Sequence, residues 1–162
     1  MIKRDQIREF ITAVAKNTLQ EISQSDSILI SSDLKRCNKN KSTIFEFCKF
    51  CKDFLEIDHP LKIELVSNRD ESNITTTAFY NPESHLIRVY CKDRAIADVC
   101  RSIAHEMTHM SQMLDGKIEF PVQDAGGQIE DEANSKAGEV LKLFAKSDPE
   151  RKSIYESIKS MN

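Results

Sequence analysis

A chain of 162 residues, 40% hydrophobic and 30% charged, has the composition of an ordinary globular protein of about one domain. Its net charge is −3 with both signs interspersed, which argues against binding to nucleic acid or to an anionic membrane. No run approaches the roughly 20 apolar residues of a transmembrane helix, and the N-terminus lacks the apolar core of a signal peptide. The five cysteines are an odd number and indicate free thiols in a reducing compartment. We therefore expect a cytoplasmic protein, or a virion or host-cytoplasm protein if it is phage-encoded.

The first part of the chain is predicted to be mainly helical. Apolar residues at helical spacing predict a helix over residues 5–22. Residues 23–42 are predicted as a surface loop around the short apolar segment Ile28–Ile30, ending in a basic run. A second helix is predicted from Thr43 to Ile57, because Thr43 and Glu46 are spaced as a capping box and His59-Pro60 follows.

The period then changes to that of β-strands. Leu61, Ile63 and Leu65 alternate with polar residues and predict a strand. The runs ITTTAFY and HLIRVYC flank the turn NPES and predict a hairpin. Helical spacing returns after Asp93, a predicted N-cap, and stops at Asp115-Gly116.

A loop with Gly126 and Gly127 precedes a further predicted helix from Ile129 to Ala145, and a last helix follows Pro149. This order predicts an α+β domain in which a small antiparallel or mixed sheet of about three or more strands packs on helices, covered mainly on one face. We expect one domain over residues 1–162, with a helical N-terminal part (1–60), the sheet and the chemistry-bearing helices (61–145) and a C-terminal helix (146–162).

The predicted helix after Asp93 carries the motif His105-Glu106-Met107-Thr108-His109. Histidines at positions i and i+4 lie about 40° apart and one turn apart on a helix, so both imidazoles can reach one metal ion. Neutral imidazole is a favoured zinc ligand. The intervening Glu106 lies beside such an ion, where it can take a proton from a water molecule.

The helical wheel places the two histidines nearly opposite the apolar stripe of this helix, towards solvent or a cleft, with Glu106 between the two faces. An accessible catalytic centre would occupy this position. Two surface histidines without any metal would occupy it as well. The stripe, which is expected to face the sheet, consists of Ile96, Val99, Cys100, Ile103, Met107, Met110 and Leu114.

A catalytic zinc site needs a third protein ligand. Glu130 lies about 50° from the centre of the next helix's apolar stripe, so its carboxylate can turn inward, and the small Ala133 would let the two helices approach closely. The alternative is that Glu130 is one of several acids favoured by the electropositive start of a helix. Asp115 is a second candidate ligand, but Gln112 stands where the related HExxHxxGxxH arrangement has a glycine.

HEMTH, followed by Glu130 in the frame Glu-x-x-Ala, resembles the gluzincins, the thermolysin-like clan of zinc peptidases. The hairpin TTTAFYNPESHLIRVY is similar to the segment that supplies their substrate-binding edge strand. The compact size and Glu130-x-x-Ala133-Asn134 resemble the small prokaryotic and phage-associated HExxH peptidases of the ImmA/IrrE type. The resemblance covers about residues 74 to 145 and is specific only at the metal motif.

The resemblance implies a zincin-like fold in which Zn²⁺ is bound by His105, His109 and Glu130, and Glu106 is general base and then acid. It also implies that the edge strand pairs with an extended peptide substrate through four residues, Ala78, Phe79, Tyr80 and Asn81. Members of the clan stabilise the oxyanion with a histidine or tyrosine from a later domain. Here that donor would be absent or be one of Tyr80, Tyr90, His85 and Tyr155.

The remaining features have simpler interpretations. Cys48 and Cys51 form a CxxC, but they fall within an apolar helical pattern and are predicted as core cysteines rather than a redox or zinc motif. His59 and His85 are predicted to be structural or exposed, and the basic run Lys35–Lys41 to be solvated, with a docking surface as the alternative.

We therefore expect a zinc-dependent endopeptidase acting on an intracellular or viral protein. One alternative is a metal-binding zincin-fold regulatory or interaction module with little hydrolytic activity. The other is a helix-rich structural protein without metal.

Overall fold

The structure is a computed structural model and describes residues 27–33, 38–70, 76–119 and 127–156. The predicted helix over residues 5–22 lies outside these ranges. The described elements are, in chain order, β1 (Ile28–Ser32), α1 (Asn38–Leu55), β2 (Leu61–Val66), β3 (Ala78–Asn81), β4 (Leu86–Tyr90), α2 (Ile96–Leu114), α3 (Gln128–Ser147), a 3₁₀ turn (Glu150–Lys152) and α4 (Ser153–Glu156).

The four strands form one mixed sheet in the order β1-β2-β4-β3. Strand β2 is parallel to both β1 and β4, and β3 pairs antiparallel with β4 as the predicted hairpin. The predicted α+β class with a small mixed sheet is confirmed. Strand β3 is at one edge of this sheet, so one side of its backbone has no strand partner among the described residues.

The prediction of a surface loop over residues 23–42 is wrong for Ile28–Ser32, which forms β1. Its partner β2 lies about thirty positions further along the chain, with Ile28 opposite Leu61 and Ile30 opposite Ile63. Ile28 and Ile30 are partly buried against the core, whereas Leu29 is 61% exposed. The strand therefore depends on a long-range partner that its own short pattern does not reveal.

Two predicted helix starts are also wrong. Helix α1 begins at Asn38 rather than at Thr43, so Thr43 and Glu46 lie inside the helix and do not cap it, and part of the predicted basic loop is helical. Helix α2 is capped at Ala95, not at Asp93, because Asp93 has a positive φ of 59° and lies in the preceding turn. The predicted stop at Asp115-Gly116 is confirmed, with Asp115 as the C-cap of α2.

The core lies between one face of the sheet and the helices. Alternate residues of β2 and β4 (Leu61, Ile63, Leu65, Ile87 and Val89) are buried, and they meet the apolar stripes of the helices. The opposite face carries Lys62 and the ion pair of Glu64 with Arg88. The predicted core positions Cys48, Cys51 and Cys100 are fully buried. None of the described helices is long and apolar enough to cross a membrane.

Candidate metal centre

The motif helix α2 packs most extensively on α3, and the two helices carry the chemistry-bearing side chains. The apolar stripe predicted for α2 is buried up to Met110, and Leu114 packs partly buried at its end. His109 is only 6% exposed, because its side of α2 is covered by α3 instead of solvent. His105 and Glu106 are partly buried at the rim of a cleft.

His105, His109 and Glu130 bring three ligand atoms together. The Nε2 atoms of His105 and His109 lie 3.1 Å apart. The Glu130 carboxylate places Oε1 3.1 Å from Nε2 of His109 and Oε2 3.3 Å from Nε2 of His105. Among the residues that the structure describes, this is the group of three potential ligands that can hold a metal ion.

The spacing between the two imidazole nitrogens and the carboxylate group fits a small tetrahedral ion. Ligand atoms about 2.0–2.1 Å from a tetrahedral zinc lie roughly 3.3–3.4 Å from one another. The two Nε2 atoms are 3.1 Å apart, and each lies at a similar distance from a different oxygen of Glu130, 3.1 Å for His109 and 3.3 Å for His105, which is close to this value. Two imidazole nitrogens and a carboxylate oxygen also form a donor set that zinc accepts. The residues present therefore fit the metal that the sequence pattern predicts.

The second nitrogen of His109 is engaged by Gln112. The Nδ1 atom of His109 lies 2.8 Å from Oε1 of Gln112. An amide oxygen only accepts, so Nδ1 carries the proton, and in the neutral form of the ring the lone pair of Nε2 faces Glu130 and His105. A lone pair 3.1 Å from a carboxylate oxygen is repulsive unless a cation or a proton lies between the two atoms.

The start of α3 determines where Glu130 lies. Gly127 is the N-cap residue with φ 94° and ψ −175°, a conformation that side-chain-bearing residues rarely adopt. Its carbonyl accepts the first helical hydrogen bond from the N–H of Asp131. Glu130 consequently lies in the first turn, where its carboxylate turns towards α2 as the helical wheel predicts. Asp131 is exposed on the other side.

The three potential ligands His105, His109 and Glu130 are called the metal group below. Glu106 projects into the cleft between this group and strand β3. Its carboxylate accepts a hydrogen bond from the backbone N–H of Tyr80, which lowers its pKa. Burial, and then repulsion from Glu130, outweigh this and raise the pKa of Glu106 to about 7. Burial and the neighbouring His109 lower the pKa of His105, against the opposing effects of Glu130 and Asn134. The carboxyl group of Glu106, with its raised pKa, can therefore exchange protons near neutral pH.

The cleft in front of these residues has a volume of about 560 Å³. Its walls are strand β3 with the residues before it, one face of α2 and the first turns of α3. The lining residues are Thr76, Thr77, Ala78, Phe79, Tyr80, Arg101, Ser102, His105, Glu106, His109, Glu130, Asn134 and Ala137. Three of the four residues predicted to bind substrate, Ala78, Phe79 and Tyr80, therefore face the cleft.

Several predicted candidates lie elsewhere. Asn81 is not in the lining and accepts a hydrogen bond from the backbone N–H of Ser84 in the hairpin turn. Asp115 is exposed beside Lys117 and is not a member of the metal group. Of the four candidate oxyanion donors, only Tyr80 lines the cleft, and its hydroxyl lies 3.1 Å from Nδ1 of His85.

The sequence reasoning missed two residues of this region. Arg101 lines the cleft one helical turn before His105, and the same i, i+4 spacing that relates the two histidines would have identified it. Gln112 lies three residues after His109, on the same face of α2. In the sequence alone, Gln112 stands out only as a position without the glycine of a related motif.

No family model, no curated protein and no solved structure matches this chain. The functional argument accordingly depends on the geometry of the residues themselves.

Proposed function

We propose that this protein is a zinc-dependent peptidase with a zincin-like fold. The observation that carries the proposal is the convergence of His105, His109 and Glu130 next to the carboxylate of Glu106 and the free edge of β3. A zinc ion bound by the three ligands would supply Lewis acidity, which polarises a carbonyl group and makes water a better nucleophile at neutral pH.

Glu106 is suited to the proton transfers of peptide hydrolysis. Burial raises the pKa of Glu106 from its ordinary value, so its carboxylate can take a proton from the attacking water and return it as a carboxylic acid to the leaving amine. The hydrogen bond from the Tyr80 N–H holds the carboxylate towards the cleft, between α2 and β3. Glu106 is therefore assigned as the general base and then the general acid.

The free edge of β3 favours an extended peptide as substrate. Among the described strands, β3 pairs with β4 alone, and the hydrogen bond from the Tyr80 N–H to Glu106 shows that its other side faces the cleft. An added peptide strand would lie between β3 and the metal group and gain main-chain hydrogen bonds. Ala78 and Phe79 would contact it, and the side chain of Phe79 is 46% exposed.

We assign the substrate to the class of intracellular or virion proteins. Cys48, Cys51 and Cys100 are free, buried thiols, which favours a reducing compartment. A second candidate function is a metal-binding regulatory module with little hydrolysis. Tyr80 is the one tyrosine among the described cleft residues and so the candidate donor to an oxyanion. Its hydroxyl contacts His85 instead, which favours this second function.

The test is a Glu106→Gln variant loaded with zinc and assayed against a peptide library. The proposal expects unchanged zinc content and a loss of hydrolysis of at least about 100-fold, since general acid–base catalysis contributes 10²–10⁴-fold. Glu139→Gln makes the same change at an exposed position of α3 and serves as the control. A Glu106→Gln variant that cleaves as fast as the wild type would refute the role of Glu106, and inactivity of the zinc-loaded wild type would favour the regulatory module.

A further inference from the structure

Gln112 is a buried amide that the proposed chemistry does not use. It is 1% exposed, and both ends of its side chain are hydrogen-bonded. Its Oε1 lies 2.8 Å from Nδ1 of His109. Its Nε2 donates to the backbone carbonyl of Ile129 at 3.1 Å and to Oε2 of Glu132 at 3.0 Å.

These contacts determine the orientation of the amide. The carbonyl of Ile129 and the carboxylate of Glu132 are both acceptors, so the amino group of Gln112 must face them. The amide oxygen then faces His109 and requires a proton on Nδ1. The partners of Gln112 in α3 therefore select the ring tautomer of His109 in α2.

The same contacts hold the turn that carries Glu130. Ile129 precedes Glu130 directly and Glu132 follows two residues later, so Gln112 is bonded on both sides of it. Within the described parts of the chain, no side-chain hydrogen bond caps the start of α3. Gln112 thus connects one predicted ligand, His109, to the helical turn of another, Glu130.

We propose that Gln112 is a positioning residue for the metal centre: it holds His109 in the Nδ1–H tautomer and fixes the first turn of α3, so that Nε2 of His109 and the Glu130 carboxylate converge. The metal role rests on the proposed function, whereas the tautomer can be measured without metal. Outer hydrogen-bond partners of this kind typically contribute 10–100-fold to metal affinity.

Three variants separate positioning from packing. Gln112→Met keeps the length of the side chain but removes all three hydrogen bonds. In Gln112→Glu the new carboxylate can still accept the hydrogen bond from Nδ1 of His109, but it is repelled by the carboxylate of Glu132 and the carbonyl of Ile129. Adding Glu132→Gln to Gln112→Glu restores a donor opposite the new carboxylate, so the double variant should recover zinc affinity that the single variant loses.

The experiment combines long-range ¹H–¹⁵N spectra of the imidazoles in metal-free protein at about pH 8 with zinc competition titrations. We expect the Nδ1–H form for His109 in the wild type, and its loss in Gln112→Met. We expect zinc affinity to fall about 10–100-fold in Gln112→Met and Gln112→Glu, with recovery in the double variant. Gln128→Met, an exposed position of α3, should bind zinc like the wild type.

The outcomes are distinguishable. A wild-type His109 that carries its proton on Nε2 and none on Nδ1 would overturn the tautomer assignment without any variant. Wild-type zinc affinity in folded Gln112→Met, or no recovery in the double variant, would overturn the positioning role and leave the proposed function standing. A wild type that binds no zinc would overturn the proposed function itself, and with it any role of Gln112 in a metal centre.

Discussion

The carboxylate of Glu130 lies 3.1 Å from Nε2 of His109, although the two residues belong to different helices. The approach is close because Ala133 and Ala137, at most 1% exposed, are small residues on the face of α3 that packs towards α2. Without a cation or a shared proton, the Nε2 lone pair and the carboxylate would repel each other. A metal ion, or a proton held between the two atoms, would remove this repulsion, and the two have different consequences for metal content.

The aromatic contact between α1 and α3 stabilises the scaffold of the site. The rings of Phe47 and Phe144 are 5.2 Å apart in an edge-to-face arrangement, and Phe47 is fully buried. Phe47→Ala should lower the free energy of unfolding by about 3–5 kcal/mol, measured by urea denaturation. Phe45→Ala in the same helix, where the ring is 38% exposed, should cost much less. Equal losses in the two variants would contradict this packing.

The buried thiols predict a fall in stability at alkaline pH. Burial raises the pKa values of Cys48, Cys51 and Cys100, so the folded protein keeps these protons where the unfolded chain releases them. Their contribution to stability is complete below the unfolded pKa of about 8.5 and is lost as the pH rises above it. Each thiol then changes the free energy of unfolding by about 1.4 kcal/mol per pH unit.

This slope can be measured by urea denaturation between pH 7.5 and 10. Cys100→Ala should lower stability at all pH values, because it leaves a cavity in the core. The free energy of unfolding of this variant should nevertheless fall less steeply with rising alkaline pH than that of the wild type. The native thiols should also react far more slowly with a thiol reagent than the same thiols in urea, since all three are fully buried. An unchanged slope in Cys100→Ala would show that this thiol titrates alike in both states.

The cation at the rim of the cleft predicts a preference for acidic peptides. Arg101 is exposed, lines the cleft and has no carboxylate within ion-pair distance in the described part of the chain. Arg101→Glu should reduce kcat/KM for a peptide with an acidic side chain by up to about fivefold, the scale of an exposed ion pair, and should spare a neutral peptide. The difference should shrink at high salt.

Lys146→Glu, an exposed position in the last turn of α3, makes the matching charge change outside the cleft lining. It should leave the ratio of the two kcat/KM values unchanged. If Arg101→Glu affects acidic and neutral peptides equally, or if Lys146→Glu has the same effect, the charge of Arg101 does not select substrates.

Much of the site could be predicted because its two helices have long, regular apolar stripes. Those stripes orient His105, His109 and Glu130 before any tertiary contact is known, and the structure places the three side chains together. The hairpin could be predicted in the same way, because a turn sequence lies between two β-rich runs. The ligand roles of the three residues stay predictions.

The rest depends on contacts between distant parts of the chain. The strand Ile28–Ser32 exists through its pairing with β2, which its own five residues do not specify. Asp93 was assigned as a cap from residue preference alone, whereas its left-handed backbone puts it in the turn before α2. Gln112 is informative only when Ile129 and Glu132 of α3 are seen to contact it.

The most direct test of the account is the zinc content of the purified protein after reconstitution and dialysis. We expect one zinc per chain in the wild type, its loss in Glu130→Ala and in His109→Ala, and its retention in Asp131→Ala, which changes the exposed acid next to Glu130. A wild type without zinc, or a Glu130→Ala variant that holds zinc as tightly as the wild type, would contradict the central claim.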